Sequence, residues 1–378
     1  MMSETRQSWL SAPPREVLIV VTRRIGDVLL ALPLVESLHA AWPETAFDAL
    51  VFQGTEGVMT AHPAIRRVLT IAERPRLTIH LALALRVLRR YDLALSLIPG
   101  DRPTFYAFLA GRQGAGLLVD RKKEHWKRRL LHRWVPFDNL NTHTLRMHLA
   151  LADLLGVPRV SSFKPGWSTQ DEREVHALLG ESATAPLAVL HPYPKYRYKM
   201  WPREGWIALG RWLAQQGYRV VLTGSRDPAE MEYVTSLRRE LPADTLCAAG
   251  RLSIGGSGCL VSGARLYVGP DTAMTHIAAA LGVPTVALFG PSNPVKWGPW
   301  PRDHPCDTNP WRRCGSQRVG NVILLQGSEA CVPCLLEGCD RHVESVSDCL
   351  AGLPVAKVQR AIEALLGKDE AGRMKAER

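Results

Sequence analysis

Apolar residues fall along this chain in short, nearly continuous runs that alternate with stretches of helical periodicity. Glu16 to Thr22 (EVLIVVT) is the first run, followed by the polar turn Arg23 to Asp27 and an apolar-periodic segment from about Val28 to Trp42 that Pro43 stops. A wholly apolar strand turning tightly into a helix belongs in a parallel sheet buried on both faces. Runs at Phe47 to Phe52, Arg67 to Ile71, Asp92 to Ile98 and Gly114 to Val119 predict further strands. Segments at Glu56 to His62, Ile79 to Tyr91, Thr104 to Leu109 and Thr142 to Gly156 predict the intervening helices.

The second half repeats the plan. Strands are predicted at Leu187 to His191, Tyr218 to Thr223, Arg265 to Gly269 and Thr285 to Phe289, and helices at Arg203 to Gln216, Pro228 to Glu240 and Thr272 to Leu281. The fold class is therefore α/β, with two doubly wound domains. Residues 1–15 read as a loose tail, 16–160 as the first domain and 161–352 as the second. A closing helix over 353–368 is expected to return to the first domain, and the charged end from Lys368 to Arg378 to fray. Gly255, Gly256 and Gly258 fall where spacing calls for a helix, each costing about 1 kcal/mol relative to Ala, so that helix is expected to be short or irregular.

Composition narrows the partners. At 378 residues the chain suits two domains, and none of its apolar runs approaches bilayer length. The start lacks the features of a secretory signal, which leads to the expectation of a cytoplasmic protein. A formal charge of +11 implies an acidic partner: nucleic acid, an anionic membrane surface or a phosphorylated small molecule. Eight cysteines without a secretion signal read as reduced thiols or metal ligands.

Chemistry gathers at the predicted strand ends, where open α/β sheets bind ligands. Asp271 and Thr272 stand at a strand-to-helix junction, where a side-chain cap, amide groups and the helix dipole would favour an anion, and His276 lies one turn on. Ordinary capping explains that junction equally well. Lys195, Arg197 and Lys199 alternate in HPYPKYRYKMWP, so an extended loop would turn three cations one way, as a diphosphate requires. Thr223 follows another strand, and Asp27, at a glycine turn, is a candidate general base or a simple helix cap. Arg121 to Arg133 holds seven Lys or Arg and one acidic residue; Arg121, Lys122, Lys123, Lys127, Arg128 and Arg129, with Arg23, form a candidate patch for a polyanionic acceptor or the anionic inner leaflet. Cys331, Cys334, Cys339 and Cys349, spaced C-x2-C-x4-C-x9-C, are either a structural metal site or free thiols.

These stretches together resemble glycosyltransferase family 9, the ADP-heptose lipopolysaccharide heptosyltransferases. The resemblance runs from about Val17 to the final helix and rests on RRIGD (Arg23 to Asp27), KMWP (Lys199 to Pro202), AGRLS (Ala249 to Ser253) and VGPDTAMTHIAAALGVPTVALFGPSNPVKWGPW. The KWGPW ending resembles the branch that adds the third, side-branch heptose. The family implies a GT-B fold, two facing Rossmann-like domains with a deep cleft, and an inverting transfer with no obligatory metal. Carried onto this chain, Asp27 matches the catalytic base, Lys199 the residue holding the donor diphosphate, and Asp271, Thr272 and His276 the donor motif. Ala273 departs from the glycine usual there, and the glycine-rich helix after AGRLS departs on the adenine side. The expected partners are ADP-heptose, the lipopolysaccharide core and, peripherally, the anionic inner-membrane surface. Competing readings are a related enzyme using another nucleotide sugar, an epimerase, or a basic nucleic-acid-binding module. No stacking-aromatic or recognition-helix pattern favours the last of these, so nucleic acid is not an expected partner.

Overall fold

The structure, a computed structural model, describes residues 9–180 and 185–376, with side chains through residue 367. The chain forms two compact units, Met1–Gly166 with Pro305–Thr308, and Trp167–His304 with Asn309–Arg378.

In the first unit six strands form one parallel sheet: β1 (Glu16–Val21), β2 (Ala46–Phe52), β3 (Ile65–Ile71), β4 (Tyr91–Ser96), β5 (Gly111–Leu118) and β6 (Arg133–Pro136), in the order β3-β2-β1-β4-β5-β6. This is the doubly wound order, with a reversal between β1 and β4. β1 is buried along Val17 to Val21, which is why it reads as an unbroken apolar run. β2 carries one charge into the core: Asp48 accepts hydrogen bonds from Arg66, Arg67 and the Tyr91 hydroxyl.

In the second unit the strands are β7 (Leu187–Leu190), β8 (Arg219–Leu222), β9 (Leu246–Cys247), β10 (Leu266–Pro270), β11 (Thr285–Phe289), β12 (Gln317–Val319) and β13 (Val322–Gln326). Their order is β12-β13-β11-β10-β7-β8-β9, parallel except for the β12–β13 pair. Leaving aside β12, the winding of the first sheet is repeated, with the reversal between β7 and β10. Trp201, Trp206, Leu209 and Leu213 pack on this sheet in one core cluster.

Several expectations are corrected. The helix expected from Val28 to Trp42 is two helices, Ile25–Leu29 and Leu32–Ala41, because Pro33 has no N–H to give an earlier turn and sits instead in the first turn of the second. The glycine-rich segment is a regular nine-residue helix, Ile254–Ser262. Its glycines let neighbours come close: a Cβ on Gly256 would lie 3.2 Å from Asp171 Oδ1, a carboxylate that also accepts from Ser253 Oγ at 2.5 Å. The closing helix, Val355–Ala376, belongs to the second unit, with Val358, Ala361, Ile362 and Leu365 in the core cluster of Trp201 and Trp206. Its backbone stays helical to Ala376 rather than fraying at Lys368.

The first unit extends to Gly166, six residues past the expected boundary. Val160 N–H donates to Ser37 Oγ at 2.8 Å, Phe163 is buried, and a Cβ on Gly166 would stand 2.2 Å from the Ala61 carbonyl oxygen. Of the expected loose tail, residues 1–8 lie outside the described residues. The described part is anchored: Trp9 stacks on His132, Pro14 O accepts from Thr45 Oγ1, and Arg15 N–H donates to Asp92.

Candidate functional site

The carboxyl ends of the second unit's strands carry a connected polar group. β10 ends at Pro270, Asp271 follows, and Thr272 stands at the N-terminal boundary of the eight-residue helix Ala273–Ala280. The Asp271 carboxylate does not cap that helix, and Thr272 makes no side-chain capping bond, contrary to expectation. Asp271 Oδ2 instead accepts from Lys199 Nζ at 2.5 Å and from Ser292 Oγ at 2.7 Å. Neither side chain caps the first-turn amides of Ala273 to Thr275, which lie at the positive end of the helix.

Electrostatics follow from this pairing. Burial alone would raise the Asp271 carboxyl, but the Lys199 ammonium, as charge and as donor, and the Ser292 hydroxyl hold it below the usual carboxylate range. His276 lies one turn after Thr272 with its Nδ1 buried and without a hydrogen-bond partner. Burial pushes that imidazole down to about 4, so it is neutral at pH 7. The ends of β7 and β8 contribute a second pair, His191 Nδ1 to Thr223 Oγ1 at 3.0 Å, both residues buried. Burial likewise pushes His191 down to about 4. The local picture is one ion pair, two neutral imidazoles and a helix start, all at the ends of parallel strands.

Lys195, Arg197 and Lys199 do not alternate along an extended strand. Arg197–Lys199 is a tight 3-10 turn, which separates successive side chains by about 120°. Lys199 alone of the three is half-buried and ion-paired to Asp271, while Lys195 and Arg197 stay exposed. The turn is fixed from below, since Ser347 Oγ donates to the Tyr198 carbonyl and Trp201 Nε1 donates to the Leu353 carbonyl.

In the first unit Asp27 sits in the first turn of the helix after β1, buried, with Arg23 Nε 3.7 Å from its Oδ2. The first turn of a helix is a position that suits an acidic side chain. The basic run folds as a 3-10 helix, Lys122–Arg129, after β5. Not all of it is a patch. Lys127 is buried and pairs with Asp101 at 2.6 Å and Glu124 at 2.5 Å, and Arg128 pairs with Asp120 and stacks over Trp134. Arg121, Lys122, Lys123 and Arg129 remain exposed.

The family model for glycosyltransferase family 9 (heptosyltransferase) matches residues 105–319, more than half of the chain. The chain belongs to glycosyltransferase family 9. It is a glycosyltransferase, and its two doubly wound units are the domains of the GT-B fold. Among curated relatives, lipopolysaccharide heptosyltransferase 3 of Escherichia coli is 27% identical over 294 residues, covering 73% of this chain and 83% of the relative. Lipopolysaccharide heptosyltransferase 1 of Pseudomonas aeruginosa is 27% identical over 334 residues, covering 85% of this chain and 87% of the relative. Among solved structures, a glycosyl transferase family 9 protein from Veillonella parvula superposes with a TM-score of 0.73 at 20% identity, over 94% of this chain and 97% of that one. E. coli heptosyltransferase WaaC with ADP superposes with a TM-score of 0.70 at 22% identity, over 93% of this chain and 99% of that one.

The late cysteines lie beside the carboxyl ends of β11 and β13 in this family-9 fold. Cys349 is buried between Gly290 and Gly327, and Asp348 N–H donates to Cys339 Sγ at 3.4 Å. Burial first, then the neighbouring Cys334, Cys339 and Cys331, push the Cys349 thiol up to about 11. Among the described residues the eight cysteines are free, and no three His, Cys, Asp or Glu side chains stand close enough to hold a metal ion. His191 and Ser292 complete this polar group; each stands at the end of a predicted strand, Leu187 to His191 and Thr285 to Phe289, so position was the available signal.

Proposed function

We propose that this chain transfers a heptose, with inversion at the anomeric carbon, from ADP-heptose to the inner core of lipopolysaccharide. The observation that carries the reading is the Lys199–Asp271 pair at 2.5 Å beside the start of the helix Ala273–Ala280. It sits in a family-9 chain whose relatives are named for heptose transfer. Lys199 and the first-turn amides are the cationic and dipolar groups for the donor diphosphate, Asp271 meets sugar hydroxyls, and neutral His276 and Thr223 line the donor side. Ala273 is small enough to leave the amides accessible.

The step is a single displacement. Asp27 accepts the proton of an acceptor hydroxyl, whose oxygen bonds to the anomeric carbon as the bond from that carbon to the phosphate oxygen breaks. ADP leaves with the electron pair, its charge met by Lys199 and the helix start. The step is written without an obligatory metal, as the family resemblance implies. Arg23, Arg121, Lys122, Lys123 and Arg129 serve the phosphorylated acceptor, and the enzyme works at the cytoplasmic face of the inner membrane. KWGPW, Lys296 to Trp300, favours the branch that adds the third heptose.

The test is a transfer assay with purified chain, ADP-heptose and lipopolysaccharide lacking that sugar. The expected result is ADP and an acceptor heavier by one heptose. Donor consumption at the same rate without acceptor would overturn the transferase reading in favour of an epimerase.

A further inference from the structure

One helix of the first unit is apolar on the wrong side. Leu77–Val87 buries only Leu83 and Val87, and it is held to the helix Asp101–Ala110 by His80 Nδ1 and the Tyr106 hydroxyl at 2.6 Å. Leu77, Leu81 and Leu85 are four residues apart, so they share one face, and they are 82%, 59% and 63% exposed. Leu88, at the helix end, is 46% exposed and Ile79 is 48% exposed. A globular helix ordinarily turns such a stripe inward.

The charges around the stripe say what covers it. From residue 73 to residue 90 the chain has five arginines, Arg74, Arg76, Arg86, Arg89 and Arg90, and a single acid, Glu73. Arg89 is committed inward, donating to the Gly111 carbonyl and lying over Phe108. Arg74, Arg76, Arg86 and Arg90 are exposed, two before the helix and two at its far end. A row of leucines about 16 Å long between cations is the pattern of a helix lying in a bilayer interface, acyl chains against the leucines and anionic headgroups against the guanidiniums.

We propose that the helix Leu77–Val87 is the membrane-docking element of this enzyme, seating its first unit on an anionic lipid surface. The inference rests on the reading that the acceptor is a lipid-anchored glycan, and it deepens that reading by naming the surface. The dense run Arg121 to Arg133, the more obvious basic segment in the sequence, lacks an aliphatic stripe and spends Lys127 and Arg128 on internal pairs.

The experiment is flotation of the full chain with vesicles of phosphatidylethanolamine and phosphatidylglycerol, and with vesicles of phosphatidylcholine alone. Wild type should float with the anionic vesicles. The double variant Leu81→Glu/Leu85→Glu should lower partitioning by more than about tenfold. Arg86→Gln/Arg90→Gln should lower it by about fivefold for each charge removed, with little change on phosphatidylcholine. All these side chains are exposed, so melting temperatures should stay near wild type, and so should transfer to a soluble, delipidated core acceptor.

Vesicle binding that is absent in wild type, or unchanged in the leucine variant, overturns the docking role. So does sedimentation that shows a dimer dispersed by the leucine substitutions, which would make the stripe a protein interface. Loss of transfer to the soluble acceptor in wild type would instead overturn the proposed function, so the two failures are told apart.

Discussion

The two sheets of this enzyme are wound alike and carry different chemistry. In both, the first strand of the unit lies at the centre and the order reverses beside it, between β1 and β4 in one and between β7 and β10 in the other. At the carboxyl ends in the first unit stand a single buried carboxylate, Asp27, and a basic run. At the corresponding ends in the second unit stand the pair Lys199–Asp271, its partner Ser292, and the imidazoles of His191 and His276. The winding decides where polar residues can collect. On the proposed function, the residues placed there make one unit the source of a base and the other a seat for a diphosphate.

The sharpest way to break that division is to remove the base. Asp27→Ala should lower turnover by about 10²–10⁴-fold, the usual worth of a positioned proton acceptor, while ADP affinity stays unchanged. Turnover and calorimetric binding measured on one preparation check this. Unchanged turnover would take the base out of the first unit.

Acid should find the second unit first. His191 and His276 titrate near 4 when folded and near 6.5 in an unfolded chain, so the unfolded state gains protons first as pH falls. The stability they leave intact at pH 7 is lost as pH falls through 6.5 towards 4, by about 2 kcal/mol for each histidine at pH 5. Asp271, held low, stays ionised over that interval. Glu230, raised chiefly by burial, acts in the opposite direction and returns part of the loss. Urea unfolding of wild type and His191→Gln at pH 7 and pH 5 should show a smaller acid loss in the variant. Equal losses would mean that His191 is not the buried neutral group described above.

A smaller effect tests the support beneath the donor side. Ser253 Oγ accepts from Gly256 N–H and donates to Asp171, so Ser253→Ala removes a helix cap and one partner of a carboxylate. A loss of about 1 kcal/mol is expected in a denaturation curve, with transfer activity little changed. A much larger loss would show that the glycine-rich helix depends on that one contact.

How far the sequence carried the structure can be read from the same places. The strands were legible because β1, β7 and β11 are buried on both faces and so appear as apolar runs. The strand-end rule then pointed to Asp27, Lys199 and Asp271. Whatever depended on contacts distant in sequence was not legible. Ser292 is 21 residues from the carboxylate it bonds, and Lys199 is 72 residues from it, so no local pattern announces either pairing. The alternating cations suggested an extended loop because alternation says nothing of a turn anchored by Ser347 from 149 residues away. The glycine-rich helix was misjudged because propensity counts the cost of glycine and not the close packing it permits. The basic run looked like one patch because charge counting does not see Asp101 and Glu124 closing on Lys127.

On the proposed function, the second unit holds the donor diphosphate through Lys199. Calorimetric titration of ADP, with UDP for comparison, into wild type and Lys199→Ala tests it most directly. Wild type should bind ADP selectively, and the variant should bind it about 10–100-fold more weakly because the diphosphate loses its cation and meets an Asp271 carboxylate no longer neutralised. An ADP affinity unaltered by the substitution would contradict it.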